Sequence, residues 1–514
     1  MRRHPLPFPA VVLVVLTLAG CATAERRENR QRLVAADAQF ARGCYLCLTS
    51  AFEQYRALAA AGYQPQALNR RAFDAALLLA AREKELAMDA DGWIETARQL
   101  APGDAKARVL LEIAGALPWA AGRHDADFQH PAQDAAGPLL DALDRWDAAL
   151  GPLATRDLPS TYLMAAARCA FTPSRLHESL TFEALAPAHA EAPLMQYAVG
   201  SCRRELRSHL SGLASDPDFH EVTFHLARFR LFEPGNRVRL DAKLMLEAAR
   251  AAMPGMVANT WLLAGVLSTL EEHDACAAMY ETVIDIGGAR RQSLLNRTVC
   301  LTHAARPGDA IQSATELIDT PGVLRGEAFY WRATNHYHLR GLPNARADVE
   351  AAKPLYDDAA VYALSGFIAY DMGQKGYAYT EFEEAWHRNG SYCTAPFYQG
   401  LMDAEQERWE PAAAKYETAT LCYETSVRRL AFSLEQARAL DAADPARQQR
   451  IDSLTAALDG ERLQVAHAAY NVAYANGRLG RAEAGIPFAE KSAAAHKDMR
   501  ELATNLLALL RKGG

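Results

Sequence analysis

Between residues 258 and 425 one order of small, apolar and polar positions returns five times. A copy opens with a small residue, places Ala twelve positions on, a large apolar residue four later, and Ala or an aliphatic residue three after that. Gly366, Ala378, Phe382 and Ala385 make one copy; Gly400, Ala412, Tyr416 and Ala419 make the next. Ala333, Ala345, Val349 and Ala352 keep that spacing, and Thr298, Ala310, Ala314 and Leu317 keep it with weaker residues. Gly265 opens a fifth copy one residue short, through Cys276, Tyr280 and Val283. The leading residues step by 33, 35, 33 and 34.

Positions three and four apart share one face of a helix. Two helices of about fourteen residues and a tight turn fill such a period. Turn residues fall at the joints: Leu342-Pro343-Asn344 in one copy, Met372-Gly373-Gln374 in the next. The small leading residue predicts a close approach on the first helix, and the large residue fills the gap from the second. One hairpin cannot bury its own apolar stripe, so the copies are expected to stack. No segment shows the strict alternation of a strand.

This spacing resembles the tetratricopeptide repeat across 258–425. The resemblance implies an all-α fold, a right-handed α-solenoid of stacked hairpins. Weaker copies extend it: Ala242, Leu246 and Ala249 with Pro254 just after, Ala484 and Phe488 downstream, and Ala51, Tyr55 and Leu58 near the start. Residues 100–235 are less regular. "PLLDALDRWDAAL", "STYLMAAARCAF" and "SRLHESLTFEALA" are helix-length amphipathic pieces, expected as hairpins with diverged signatures. "PWAAGRHDADFQHPAQDAAGP" (118–138) reads as a loop, and "ALDAADPARQQ" (439–449) breaks the array before the last helices. A final helix, Asp498–Leu510, caps the stack.

The chain opens MRRHPLPFPAVVLVVLTLAGC. Arg2 and Arg3 precede an apolar stretch from Phe8 to Leu18, well short of the roughly 20 residues that span a bilayer. That is the layout of a signal peptide. Leu18-Ala19-Gly20-Cys21 resembles the lipobox of bacterial lipoproteins, which implies acylation of the Cys21 thiol and cleavage before it. Ala22 stands where an aspartate would resemble an inner-membrane retention signal, so the expected location is the outer membrane, facing the periplasm. The expected organisation is therefore a signal peptide (1–20), a lipidated cysteine and tether (21–32), a diverged helical region (33–235), a regular array (236–425) and a helical C-terminal region with its cap (426–514).

The 514 residues carry a formal charge of -7 without a basic block, which excludes a nucleic-acid footprint. Nine cysteines leave eight after Cys21, and an exported chain meets an oxidising compartment, so disulfides are favoured. Cys44 and Cys47 read as a redox centre, half a metal site, a structural bridge or a pair of buried free thiols. No strand pattern precedes Gly43 and no second ligand pair lies close, which favours a bridge across the first turn of a helix. Repeat geometry pairs the others as Cys393 with Cys422, Cys276 with Cys300, and Cys169 with Cys202. In that scheme Cys393 begins a first helix and Cys422 lies just past the end of its partner.

"HEVTFH" (His220 to His225) misses the zinc-protease HExxH by one residue, and five-apart histidines diverge by roughly 140° on a helix. "HDADFQH" (124–130) gathers two histidines and two aspartates in a solvated loop. No phosphate loop, Gly-x-Ser-x-Gly elbow or dinucleotide fingerprint is present, so no catalytic, cofactor or metal residue is assigned.

In the family the repeat resembles, first-helix faces line a groove that binds peptides. The matching face carries Glu327, Tyr330, Tyr337 and His338, then Phe367, Tyr370 and Asp371, then Phe397 and Glu405. These aromatics either grip a partner or complete the core between repeats. The expected function is a lipid-anchored scaffold for another envelope protein or peptide segment, without a cofactor and held to the membrane by its acyl chains. Two alternatives stay open: an enzyme, either a thiol oxidoreductase at Cys44 and Cys47 or a hydrolase in 100–235, and a binder of envelope polysaccharide.

Overall fold

A computed structural model describes residues 8–88, 92–120, 136–152, 155–171, 189, 191–202, 207–233, 236–439 and 445–513. The side chain of Cys21, the sequence 124–130 and the segment 174–186 lie outside the described residues. Every regular element among the described residues is helical. Ten helices come first: α1 (Phe8–Arg42), α2 (Tyr45–Ala60), α3 (Pro65–Leu86), α4 (Trp93–Leu100), α5 (Ala105–Ala116), α6 (Ala136–Leu150), α7 (Leu158–Phe171), α8 (Pro193–Cys202), α9 (Ser208–Ser211) and α10 (His220–Arg230). Then follow α11 (Asn236–Ala252), α12 (Val257–Thr269), α13 (His273–Asp285), α14 (Arg290–His303), α15 (Pro307–Asp319), α16 (Arg325–His338), α17 (Leu342–Ala352), α18 (Ala359–Asp371), α19 (Lys375–Arg388) and α20 (Thr394–Glu405). The last four are α21 (Trp409–Arg438), α22 (Pro445–Arg478), α23 (Ala482–Ala495) and α24 (Arg500–Gly513). Two compact units divide the chain, the boundary falling within α11 to α14.

In the first unit α1 continues through residues 21–32, where a tether was expected, and is helical to Arg42. Its second half supplies Leu33, Ala36 and Phe40 to a cluster with Ala51, Tyr55 and Leu58 of α2, so the opening second-helix spacing does pack as a hairpin. The neighbouring region departs from repeat geometry. Ala75 to Glu83 of α3 are all buried, so this helix has no solvent face along more than two turns. It packs against α2, α4, α5 and α7. A helix apolar around its circumference becomes a centre, not a layer.

The second unit is built of antiparallel pairs. Ala310, Ala314 and Leu317, then Ala345, Val349 and Ala352, then Ala378, Phe382 and Ala385, are each fully buried. The pairs do not close their cores alone. Val361, Leu364 and Ile368 of α18 complete the cluster formed by Ala333, Ala345, Val349 and Ala352 of the preceding pair. A Cβ added to Gly366 would meet the Phe382 ring at 2.8 Å, and one on Gly400 would meet the Tyr416 ring at 3.0 Å. The large residue opposite therefore leaves no room for a side chain at Gly366 and crowds one at Gly400. Gly265 differs: among the described residues nothing lies within 4 Å of its added Cβ. Its copy is one residue short, so Tyr280 falls one position nearer than Phe382 and Tyr416 do to theirs.

The turn inside each pair from α12–α13 to α20–α21 repeats as strictly as the core. Glu271, Ala305, Arg340, Gly373 and Glu407 all have positive φ, between 56° and 74°. After each, an amide reaches back five residues, as from Arg306 to Leu301, Gly341 to His336 and Arg408 to Asp403. This is the left-handed helix ending that glycine usually occupies. Here glycine holds only one of those five positions.

Downstream two expectations shift. The second-helix phase is Gly485, Ala489 and Ser492, all buried, while Ala484 is exposed; the Ala484–Phe488 assignment was one residue early. An added Cβ on Gly485 would lie 2.9 Å from the Ala473 carbonyl oxygen, which restores the twelve-residue spacing from Ala473. Cys422 lies inside α21, not past its end, because that helix runs on to Arg438. The four cysteine pairs each lie at bonding distance, with Cα–Cα separations of 4.9 Å for Cys44–Cys47, 5.6 Å for Cys169–Cys202, 6.0 Å for Cys276–Cys300 and 5.4 Å for Cys393–Cys422.

Candidate functional site

The first helices α16, α18 and α20 succeed one another along the second unit, and Tyr–carboxylate pairs join them. The Tyr337 hydroxyl donates to Asp371 Oδ2 at 2.9 Å, and Arg340 Nη1 donates to the same oxygen at 3.0 Å. One repeat on, the Tyr370 hydroxyl donates to Glu405 Oε1 at 2.7 Å while Lys375 Nζ lies 2.6 Å from Oε2. In both rungs the tyrosine stands four positions after its leading small residue and the acid five after the next one. Burial and then the carboxylate partner push each phenol up to about 12, so both remain protonated donors. Burial raises the Glu405 carboxyl, but Lys375 and Tyr370 together hold it below its ordinary value.

The structure divides the sequence-selected residues into two groups. Tyr337, Asp371, Tyr370 and Glu405 form the rungs at the solvent edge. Phe367 and Phe397 turn inward: Phe367 packs edge-on against Phe382 and Tyr398, each at 5.1 Å, and Phe397 packs on Tyr416 at 5.6 Å. Tyr330 sits half-buried against Tyr356 at 6.1 Å. These three complete the core between repeats. Glu327 lies at the start of α16, half-buried, where its charge helps raise the Tyr356 phenol after burial. His338 is exposed at the other end of that helix.

Sequence reasoning missed Tyr398, Lys375 and Arg340. Tyr398 lies edge-on to both Phe367 and Tyr370 and so connects the two groups. The cations were findable, since Arg340 and Lys375 follow the rung tyrosines by three and five residues. Together the rungs offer alternating carboxylate and cation beside aromatic rings. Such a surface can bind; it holds no activated nucleophile or base.

Cys44 and Cys47 occupy a different setting. Cys44 is the N-cap of α2, and its sulfur accepts from the Cys47 amide at 3.0 Å. Both are buried, and the segment before Gly43 is helix α1. Beside them the Tyr45 amide donates to Glu221 Oε1 at 2.6 Å, and Glu221 pairs with Arg82, both fully buried. Arg82 lies 3.4 Å over the ring of Tyr197. The "HEVTFH" stretch forms α10, and it contributes Glu221 and His225 to this buried network.

No protein-family model matches the chain, and no curated protein matches it. Solved structures do, over parts of it. The C-terminal part of a TPR repeat-containing protein from Cytophaga hutchinsonii is similar at 14% identity and a TM-score of 0.39, covering 55% of this chain and 99% of that one. YrrB, described as a TPR protein with an unusual peptide-binding site, is similar at 16% identity and a TM-score of 0.29, covering 34% and 91%. MamA is similar at 18% identity and a TM-score of 0.30, covering 32% and 97%.

Proposed function

We propose that this chain is a lipid-anchored scaffold of the bacterial envelope, facing the periplasm, that docks a segment of another envelope protein on the first-helix face of its regular repeats. The observation that carries the docking face is the pair of rungs, Tyr337–Asp371 and Tyr370–Glu405. They hold aromatic rings and paired charges in register at the edge of successive first helices. Rigid aromatics with few rotatable bonds lose little entropy on binding, which suits a docking surface. The anchor rests on the order of Arg2-Arg3, the apolar stretch and Leu-Ala-Gly-Cys21. Among the described residues no helix is long and apolar enough to cross a membrane. Acyl chains at Cys21 would hold the chain to the bilayer, each buried CH₂ contributing about 0.8 kcal/mol.

Two experiments test the reading. Cys21→Ser should abolish palmitate labelling and release the chain from membranes; a variant still labelled and still sedimenting with membranes contradicts the anchor. Crosslinking in intact envelopes should capture a partner with the native chain and lose it in a Tyr337→Ala/Tyr370→Ala double variant of normal helicity. Equal capture by that variant would remove the docking face.

A further inference from the structure

The first unit holds a cavity of about 210 Å³ that the scaffold reading does not use. Its walls come from α3, the segment after α5, α7, α8 and α10, and they are mostly apolar: Leu117, Trp119, Tyr162 and several alanines. Two opposite charges border it, Glu85 from α3 and Arg228 from α10. No ion pair joins them among the described residues. Glu85 Oε1 accepts from the Tyr197 hydroxyl at 3.0 Å and lies 3.1 Å from His225 Nε2. Its other oxygen lies 3.8 Å from Arg82, and the side chain keeps 26% exposure. Arg228 Nη2 donates to the Ser201 carbonyl at 2.7 Å.

His225 supplies the observation that points to a ligand. It lines the cavity, is 1% exposed, and among the described residues its Nδ1 has no hydrogen-bond partner. Such an orphan is costly when buried, about 1–3 kcal/mol. The Tyr197 hydroxyl donates to Glu85 and so accepts the Nε2 proton, at 2.7 Å, which leaves Nδ1 as an acceptor.

We propose that this cavity binds a small zwitterion with an apolar side chain, an apolar amino acid, whose ammonium donates to Nδ1 of His225 with the nearby Glu85 carboxylate balancing its charge, whose carboxylate meets Arg228, and whose side chain lies among Leu117, Trp119 and Tyr162. The protonation states suit that role. Burial raises Glu85, but His225, Arg82 and Tyr197 hold it down to about 2, so it is an anion. Burial and the Arg228 charge lower His225 to about 4, so it is neutral near pH 7. A mainly apolar pocket with a few placed polar groups is the usual form of a small-molecule site. A site built to pair both charges also rejects analogues lacking one of them, because its own groups are left unpaired.

The test is equilibrium dialysis of the full chain, purified in detergent, against radiolabelled leucine. The expected result is saturable binding that unlabelled leucine displaces, with leucinamide and N-acetylleucine each competing at least tenfold less well. Arg228→Met should weaken leucine at least tenfold and remove the preference over leucinamide, with unchanged helical circular dichroism. No saturable binding at millimolar leucine would overturn the proposal. So would equal competition by N-acetylleucinamide, which carries neither charge; this arm needs only the native protein.

Discussion

Tyr370 reaches Glu405 across a whole repeat, its hydroxyl 2.7 Å from a carboxylate oxygen 35 residues later. Tyr337 reaches Asp371 in the same way at 34 residues. The rungs therefore fix the stacking register of α16, α18 and α20 at the edge where their half-buried rings border solvent.

The two parts of each tyrosine are separable by mutation. Tyr337→Phe and Tyr370→Phe remove a hydrogen bond to an ionised group at a solvent edge, expected to cost roughly 0.5–1.5 kcal/mol each. They should leave partner capture intact. Tyr→Ala at either position should lose capture as well. Denaturant titration with crosslinking reads both, and loss of capture in the Phe variants would assign binding to the hydroxyls.

The leading glycines differ in what they face. Gly366→Ala puts a methyl 2.8 Å from the Phe382 ring and should destabilise by about 1–3 kcal/mol. Gly265→Ala meets nothing within 4 Å among the described residues and should instead stabilise by up to about 1 kcal/mol through helix propensity. Thermal unfolding of the pair checks the assigned phase, and equal effects would contradict it.

The left-handed turn residues offer a gain. A non-glycine residue in that conformation costs roughly 1–2 kcal/mol, and glycine avoids this at some cost in unfolded-state entropy. Arg340→Gly and Glu407→Gly, at φ 60° and 58°, should each raise stability by about 0.5–1 kcal/mol. A lowered denaturation midpoint in both would refute the turn geometry. Arg340→Gly also loses its bond to Asp371, so Glu407→Gly is the cleaner measurement.

Acid should act on the first unit through the buried His225 and the half-buried Asp74, in opposite directions. His225 is lowered from 6.5 to about 4 by burial and the Arg228 charge, so the stability it carries is complete above pH 6.5 and lost as pH falls toward 4. That loss amounts to about 3 kcal/mol. Asp74 is raised to about 6 by burial, so its contribution is complete below pH 3.8 and lost as pH rises through 6. The two offset each other in the native chain. Asp74→Asn should therefore unfold more easily as pH drops from 6.5 to 4.5, while the native midpoint moves little. Parallel pH profiles for the two would contradict this assignment.

The repeat was legible because its packing rule is local. Small and large residues at fixed spacings form the contacts, as Gly366 and Phe382 do. The cysteine pairs followed from the same spacing. The rung tyrosines and acids were visible as residues on one face, but their pairing requires knowing that position four of one first helix meets position five of the next. The turns were nearly silent, since only Gly373 among the five has the residue type that announces a left-handed ending. The central burial of α3 was hidden by its own charges, because Arg82 and Glu83 read as a solvated face. Their partners stand far along the chain, Glu221 being 139 residues from Arg82. In the sequence His225 reads only as a failed zinc ligand, and no local pattern places it beside Glu85.

The proposed docking of a partner on the first-helix face is open to a direct measurement. Photo-crosslinking residues placed at positions 337, 370 and 371, and at Glu383 and Glu417 on exposed parts of the second helices, compare the two faces in living cells. The prediction is one adduct of common mass from the first-helix positions and none from the second. Adducts from Glu383 and Glu417 alone, or from all five alike, would contradict it.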